Sequence, residues 1–310
     1  MRTIALIPAL NEENTIREVV LGVKDYVDEV VLIDDGSTDS TKKVAKEAGA
    51  LVYSHLKNQG VGAAFATGIE KALELRAQIV VTLDADGQFQ PADIAKIIDP
   101  IIKGEADVVT GSRFLDYSFR PTMSRSKDFG NRVFSNLVSR MTGQRFTDTQ
   151  CGFRAYSREA LLRLTVFGKF TYTQEVLLDL LHKNMRIVEV PVRVLERQTG
   201  YSRVVKNPLN YGLRAMKIII QTERDHHPLR FFGVISLGFI LPGSLMLLTV
   251  LINWLSTGLT SPVTSLITIG GILILLGVIF IILALVADMQ GRLRRLQEEA
   301  LYLLKRQRYS

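Results

Sequence analysis

From Met1 to about residue 205, short apolar blocks alternate with stretches whose apolar positions recur at helical spacing. Residues 2–7 predict a strand closed by Pro8, and residues 11–26 a helix with Glu12 and Glu13 in its first turn, where the helix dipole favours acids. Strands are predicted at 29–33, 50–53, 78–83 and 107–110, with helices at 40–48 and 61–75 between them. Asp39 is placed to cap the 40–48 helix, and Pro91 stands at the first position of another, where a missing N–H is no loss. Strict β–α alternation predicts a mostly parallel sheet with helices on both faces. In such sheets ligands bind beyond the carboxyl ends of the strands. Three polar motifs fall at those ends, at residues 8–12, 34–39 and 84–88.

After Gly111 the pattern loosens. Residues 117–126 read as a polar loop, 129–141 and 174–182 as helices, and 186–190 and 193–196 as short strands. Residues 198–206 are polar, basic and glycine-containing. Residues 209–221 have apolar positions at helical spacing with Arg214 and Lys217 among them, which suits either a helix lying on a bilayer or an ordinary surface helix. The tail at 290–307 is basic and amphipathic, with Leu293, Leu296, Leu301 and Leu304 on one side. It suits a membrane surface or a partner subunit, and with the latter a homo-oligomer.

No Asp, Glu, Lys or Arg occurs between Phe231 and Ala287. A membrane-crossing helix needs roughly 20 apolar residues. The block predicts two spans, about 231–255 and 263–287, broken by Ser256-Thr257-Gly258-Leu259-Thr260-Ser261-Pro262. Arg224 and Arg230 precede the block, Arg292, Arg294 and Arg295 follow it, and the connecting loop has no cation. The positive-inside rule therefore predicts an integral membrane protein with the N-terminal domain and both termini in the cytoplasm. The N-terminus has no charged leader and enters a strand at once, so no signal peptide is expected. The single Cys151 permits no internal disulfide. The net charge of +7 suits anionic membrane lipids and a phosphate-bearing acceptor. No recognition motif points to nucleic acid.

The sharpest chemical feature is Asp84-Ala85-Asp86-Gly87-Gln88, directly after an apolar strand. Mg²⁺ or Mn²⁺ takes oxygen ligands, commonly one or two carboxylates plus substrate phosphates. Asp84 and Asp86 offer those carboxylates, and Gln88 a neutral ligand or an orienting group. Asp34 and Asp35, in Asp34-Asp35-Gly36-Ser37-Thr38-Asp39, either form a polar turn or accept bonds from a nucleobase or ribose. Lys57-Asn58-Gln59-Gly60-Val61-Gly62-Ala63-Ala64 opens a helix with small residues, which suits either close ligand approach or helix–sheet packing. Glu175 is placed to stabilise a helix start rather than to act as a base. His182, His226 and His227 lack metal spacing with the aspartates, and Cys151 reads as a packed thiol.

Pro8-Ala9-Leu10-Asn11-Glu12, Asp34-Asp35-Gly36-Ser37-Thr38-Asp39, Asp84-Ala85-Asp86-Gly87-Gln88, Gly111-Ser112-Arg113 and Gln150-Cys151-Gly152-Phe153-Arg154 occur in that order. The set resembles the inverting GT-A glycosyltransferases that load a sugar onto a polyprenyl phosphate, such as dolichyl-phosphate mannose synthase. The resemblance implies an α/β, Rossmann-like GT-A domain at 1–205, a juxtamembrane interfacial helix at 206–230, the two-helix hairpin at 231–287 and a basic cytoplasmic tail at 288–310. It also implies site residues. Pro8, Leu10, Glu12, Asp35 and Gly36 line the nucleoside pocket, while Asp84, Asp86 and Gln88 hold the metal and diphosphate. Arg113 and Arg125 grip the acceptor phosphate, and Arg203 closes a basic loop over the donor. The implied partners are a nucleotide sugar, GDP- or UDP-linked, and a dolichyl or undecaprenyl phosphate. A different acceptor, or a membrane accessory protein that binds nucleotide sugar without turnover, are the alternatives.

Overall fold

The computed structural model describes residues 1–119, 125–165, 172–195, 216, 220, 221, 223–225 and 227–310. They form two units, Met1–Gly212 with Leu301–Ser310, and Leu213–Ala300.

The first unit is built on a seven-stranded sheet. Its strands are β1 (Thr3–Ala9), β2 (Glu29–Asp34), β3 (Leu51–Ser54), β4 (Ile79–Thr82), β5 (Val108–Ser112), β6 (Arg154–Ser157) and β7 (Ile187–Pro191). Their order is β3-β2-β1-β4-β6-β5-β7. Only β6 runs antiparallel, to both neighbours, with Val81 and Val109 flanking Ala155. The helices are α1 (Ile16–Val23), α2 (Thr41–Glu47), α3 (Val61–Glu74), α4 (Asp93–Ile102), α5 (Arg125–Thr142), α6 (Arg158–Arg163) and α7 (Tyr172–His182). Ile7 and Ala5 of β1, Val81 of β4, Ile16 and Val20 of α1, and Ile94 and Ile97 of α4 form one buried cluster. Strands this apolar on both faces need helices on both sides to keep them dry.

Four differences from the sequence pattern have local causes. The first helix starts at Ile16, not residue 11, because Asn11 adopts φ 51° and its side chain turns to the β2 loop. Glu13 is consequently no dipole partner; its carboxylate accepts from the Ser40 N–H. β6 and α6 escape the pattern because a four-residue strand and a six-residue helix are too short to show a period. Residues 193–195 make only one bridge, Val194 to Phe89, rather than a strand. Asp39 does bond the Thr41 N–H at the start of α2, though Ser40 is the formal cap.

Residues Leu301–Ser310 belong to the first unit. The Tyr302 ring lies 4.1 Å from the Arg163 guanidinium and its hydroxyl bonds Glu159. Lys305 donates to the Leu164 carbonyl, and Arg158 to that of Tyr309. The end of the tail thus packs on its own chain's α6, an outcome that neither expected alternative covers.

The second unit is a pair of apolar helices, α8 (Pro228–Thr257) and α9, which starts at Ser265 and continues to Tyr309. Both are long and apolar enough to cross a membrane. Gly258, at φ 71°, ends α8 within the predicted break. The hairpin closes through small residues. A Cβ on Gly270 would lie 2.9 Å from the Gly243 carbonyl, and Ser236 Oγ donates to the Gly277 carbonyl at 2.8 Å. Such close backbone approach is how apolar helices associate where lipid offers no hydrophobic drive.

Candidate active site

The loops after β1, β2 and β4 are stitched together at one edge of the sheet. Asn11 N–H donates to Ser37 Oγ, Glu12 N–H to Thr41 Oγ1, and Thr38 N–H to Asn11 Oδ1. Thr15 Oγ1 donates to the Ala85 carbonyl at 2.7 Å, joining the start of α1 to the Asp84–Gln88 loop. Short polar side chains competing for backbone groups are what make these segments loops and not helix. The three motifs predicted to converge therefore do.

Within them, Asp34 and Asp35 do different things. Asp34 Oδ1 accepts from the Ser37 N–H and closes its own turn. Asp35 is almost wholly buried and faces the 55–60 loop. Its Oδ1 accepts from His55 Nδ1 at 2.7 Å and from the Gln59 N–H at 2.9 Å, and its Oδ2 from the Gly60 N–H at 2.8 Å. His55 Nε2 lies 3.0 Å from Thr67 Oγ1 on α3. Gly36, at φ 76°, lets the two loops touch, since a Cβ there would sit 2.7 Å from the Asn58 nitrogen. His55 carried no motif and had no periodic signal; only its contact with Asp35 identifies it.

Asp84 and Asp86 are half-buried. The Asp84 carboxylate lies against Gly152, where an added Cβ would meet Oδ1 at 3.3 Å. Asp86 Oδ1 accepts from the Gln88 N–H at 3.2 Å, and Gly87 supplies φ 72° for the turn. Gln88 also holds a distant segment: its Nε2 donates to the Leu195 carbonyl and its backbone carbonyl accepts from the Leu195 N–H. Its amide oxygen takes no part in either bond. Among the described residues no group of three His, Cys, Asp or Glu could hold a metal by itself. Two half-buried carboxylates suit Mg²⁺, which seldom takes an all-protein cage and commonly binds one or two carboxylates plus substrate phosphates.

Arg113, one residue beyond β5, forms a two-pronged pair with Asp148, Nε to Oδ2 at 2.6 Å and Nη2 to Oδ1 at 2.9 Å. The Asp148 side chain is 0% exposed and that of Arg113 21%. Burial by itself would lower the guanidinium's pKa, but Asp148, with help from Asp84, raises it, so the cation persists. Asp148 is held in turn by Glu189 of β7, which accepts its N–H and both donors of Thr147. Burial raises the pKa of Glu189 against those bonds. Asp148 stands just outside the Gln150–Arg154 motif, and only its burial against Arg113 gives it away. Burial also pushes the Cys151 thiol up to about 12, so it is a packed thiol as expected. Arg154 is fully buried and donates to Thr110 Oγ1 and to the carbonyls of Thr149 and Thr173.

Pro8 is the next-to-last residue of β1, and Leu10 and Glu12 lie on the loop after it; all three are half-buried. Arg125 is the first residue of α5, but its side chain lies outside the described residues, as does that of Glu175. Arg203, the whole 198–206 stretch and most of 209–221 also lie outside them. His182 bonds the Leu178 carbonyl of its own helix.

Known proteins resemble this chain in sequence and in fold. Residues 4–165 match the family described as glycosyl transferase family 2. Glycosyltransferase AglJ of Haloferax volcanii is 30% identical over 298 residues, 94% of each chain. The UDP-N-acetylglucosamine–dolichyl-phosphate N-acetylglucosaminyltransferase of Methanococcus voltae is 35% identical over 219 residues, 64% of this chain and 87% of that one. Among solved structures, glucosyl-3-phosphoglycerate synthase from Mycobacterium tuberculosis, in complex with Mn²⁺, UDP and phosphoglyceric acid, superposes with a TM-score of 0.55. It is 22% identical and covers 73% of this chain and 78% of that one, a likeness of fold.

Proposed function

The chain belongs to glycosyl transferase family 2, and from that premise we propose that it transfers a hexose from a nucleoside-diphosphate sugar to a polyprenyl phosphate. Transfer would occur on the cytoplasmic membrane face, with inversion at the anomeric carbon. One observation carries the reading: Asp84 and Asp86 share a sheet edge with the Arg113–Asp148 pair, in a chain that also has two helices apolar enough to span a bilayer. The names of the relatives support the lipid acceptor.

In this reading Asp84 and Asp86, with Gln88 beside them, hold Mg²⁺ or Mn²⁺ against the donor diphosphate. The bound ion would act as a Lewis acid that offsets charge on the departing nucleoside diphosphate. Pro8, Leu10, Glu12, Asp35 and Gly36 hold the nucleoside. Arg113, Arg125 and Arg203 hold phosphate groups, where planar guanidinium forks match phosphate geometry. A phosphate acceptor is already anionic near neutral pH and attacks the anomeric carbon without a strong base. The chain's main tasks are then to bring two anions together and to orient them. Arg113 reaches that task pre-aligned, because Asp148 fixes its guanidinium plane. Lys and Arg on both flanks of the hairpin support a cytoplasmic catalytic unit and cytoplasmic termini.

Asp86→Ala tests the reading. Membrane fractions are incubated with a panel of UDP- and GDP-sugars and polyprenyl phosphates, and the lipid product is weighed by mass spectrometry. The wild type should yield a lipid carrying one sugar, and the folded variant none. Full transfer by the variant sinks the metal assignment. A polymer, or donor binding without release of nucleoside diphosphate, sinks the acceptor.

A further inference from the structure

The bonding state of Asp35 limits which donor base it can read. An ionised carboxylate is acceptor-only and offers about four lone-pair sites. Three are filled: two on Oδ1, by His55 Nδ1 and the Gln59 N–H, and one on Oδ2, by the Gly60 N–H. Because an ionised carboxylate cannot donate, the Nδ1 contact is an N–H donated by His55, and Nε2 pairs with the Thr67 hydroxyl, which can donate or accept. The His55 side chain is only 10% exposed and that of Asp35 5%, so solvent does not replace these bonds freely.

We propose that His55 is a specificity-determining residue: by occupying Asp35 it leaves a single acceptor site, on Oδ2, and so selects a uridine over a guanosine diphosphate donor. This rests on the reading of the site as one for a nucleoside-diphosphate sugar, and names the nucleoside. Uracil presents one imino N–H, which one lone pair satisfies. Guanine presents N1–H and the adjacent amino group together, a pair that asks for both oxygens of a carboxylate. With one oxygen already filled twice, one guanine donor would be desolvated without a partner, the arrangement that binding sites reject most strongly. His55 acts through Asp35 and touches no reacting atom. It has a second anchor on α3, so it cannot swing away to release the lone pair without losing Thr67.

The test is equilibrium binding of UDP and of GDP to the full-length protein in detergent micelles with Mn²⁺, for the wild type, His55→Ala and His55→Asn. The wild type should prefer UDP by about tenfold or more, the worth of one unmatched buried donor. Asn keeps an N–H near the Nδ1 position and should keep the preference. Ala opens Oδ1, while Gln59 and Gly60 still hold the carboxylate, so the ratio of the two affinities should fall severalfold. Mere structural damage would weaken both nucleotides alike and leave the ratio unchanged. Equal binding of UDP and GDP by the wild type overturns the inference while leaving glycosyl transfer standing, as does an unaltered ratio in a folded His55→Ala. Binding of neither nucleotide removes the site reading and the inference together. Should His55→Ala fail to fold, Thr67→Val, which removes the second anchor, should narrow the ratio in the same direction, and an unchanged ratio there overturns the proposal.

Discussion

The Arg113–Asp148 pair invites a direct energetic test. Asp148→Leu would leave a guanidinium that is four-fifths buried facing an apolar side chain, and would strip two backbone donors, Arg113 N–H and Gln150 N–H, of their acceptor. Removing one member of a buried ion pair typically destabilises by about 3–5 kcal/mol, because the other charge stays desolvated. The 21% exposure of Arg113 lets water screen part of that charge, which favours the lower end, about 3 kcal/mol. For a catalytic unit of this size that is roughly 6–12 °C in melting temperature. Arg113→Met should be comparably damaging, since it leaves a carboxylate with 0% exposure beside only weak backbone donors. The double variant, Arg113→Met with Asp148→Leu, buries no unpaired charge. It should therefore be more stable than either single variant, retaining only the loss of the two backbone bonds. Thermal melting of the four proteins in one detergent measures the coupling. A double variant that loses the sum of the single losses would refute the pair as a coupled unit. So would a single Asp148→Leu that melts within about 2 °C of the wild type, a shift worth less than about 1 kcal/mol.

Two further outcomes follow. Gly270→Leu, whose Cβ would press on the Gly243 carbonyl at 2.9 Å, should lower the melting temperature by an overpacking cost of about 1–3 kcal/mol. Gly271→Leu, with nothing within 4 Å of its Cβ, should be neutral, and equal effects would show that the hairpin does not close through Gly270. Arg186 bonds hold the Asp107 carboxyl below its usual 3.8, against a smaller effect of burial. A depressed acid stabilises the fold above its unfolded pKa and loses that stabilisation as pH falls through the folded value. Asp107→Asn should accordingly lose less melting temperature than the wild type between about pH 5 and pH 3, and parallel pH profiles would discard the link.

The sheet's first half was legible because β1 to β4 are continuous apolar runs separated by helices of ordinary length. Asp84 and Asp86 stood out for a local reason too, as acids directly after such a run. What stayed hidden depends on partners distant in sequence. β6 is recognisable only when Tyr156 and Ala155 are seen between β4 and β5. Asp148 looks like any loop acid until Arg113, 35 residues earlier, is set against it. His55 likewise gains meaning from Asp35, and Gln88, expected as a neutral ligand or an orienting group, also tethers Leu195, 107 residues away. Tyr302 and Lys305 were overshadowed by the leucines around them. The leucines remain exposed, and the aromatic and the cation make the contact.

The lone antiparallel strand also sets an order of assembly. β1, β2 and β3 pair as their βα units leave the ribosome, and β4 joins β1 through Thr3 and Ile79. The joined loops after β1, β2 and β4 need little beyond that point. β5 has no seat on this sheet when it emerges. It must wait for β6, which pairs Val80 with Tyr156 and only then Tyr156 with Val108. β7 waits longer still, and Glu189 with it, so Asp148 and Arg113 are the last to be locked. Until residue 157 is made, β4 presents an open apolar edge, the form of strand most prone to wrong pairing. Premature release of the chain in that interval would leave a sheet without β5 and β6, and so without the Arg113–Asp148 pair.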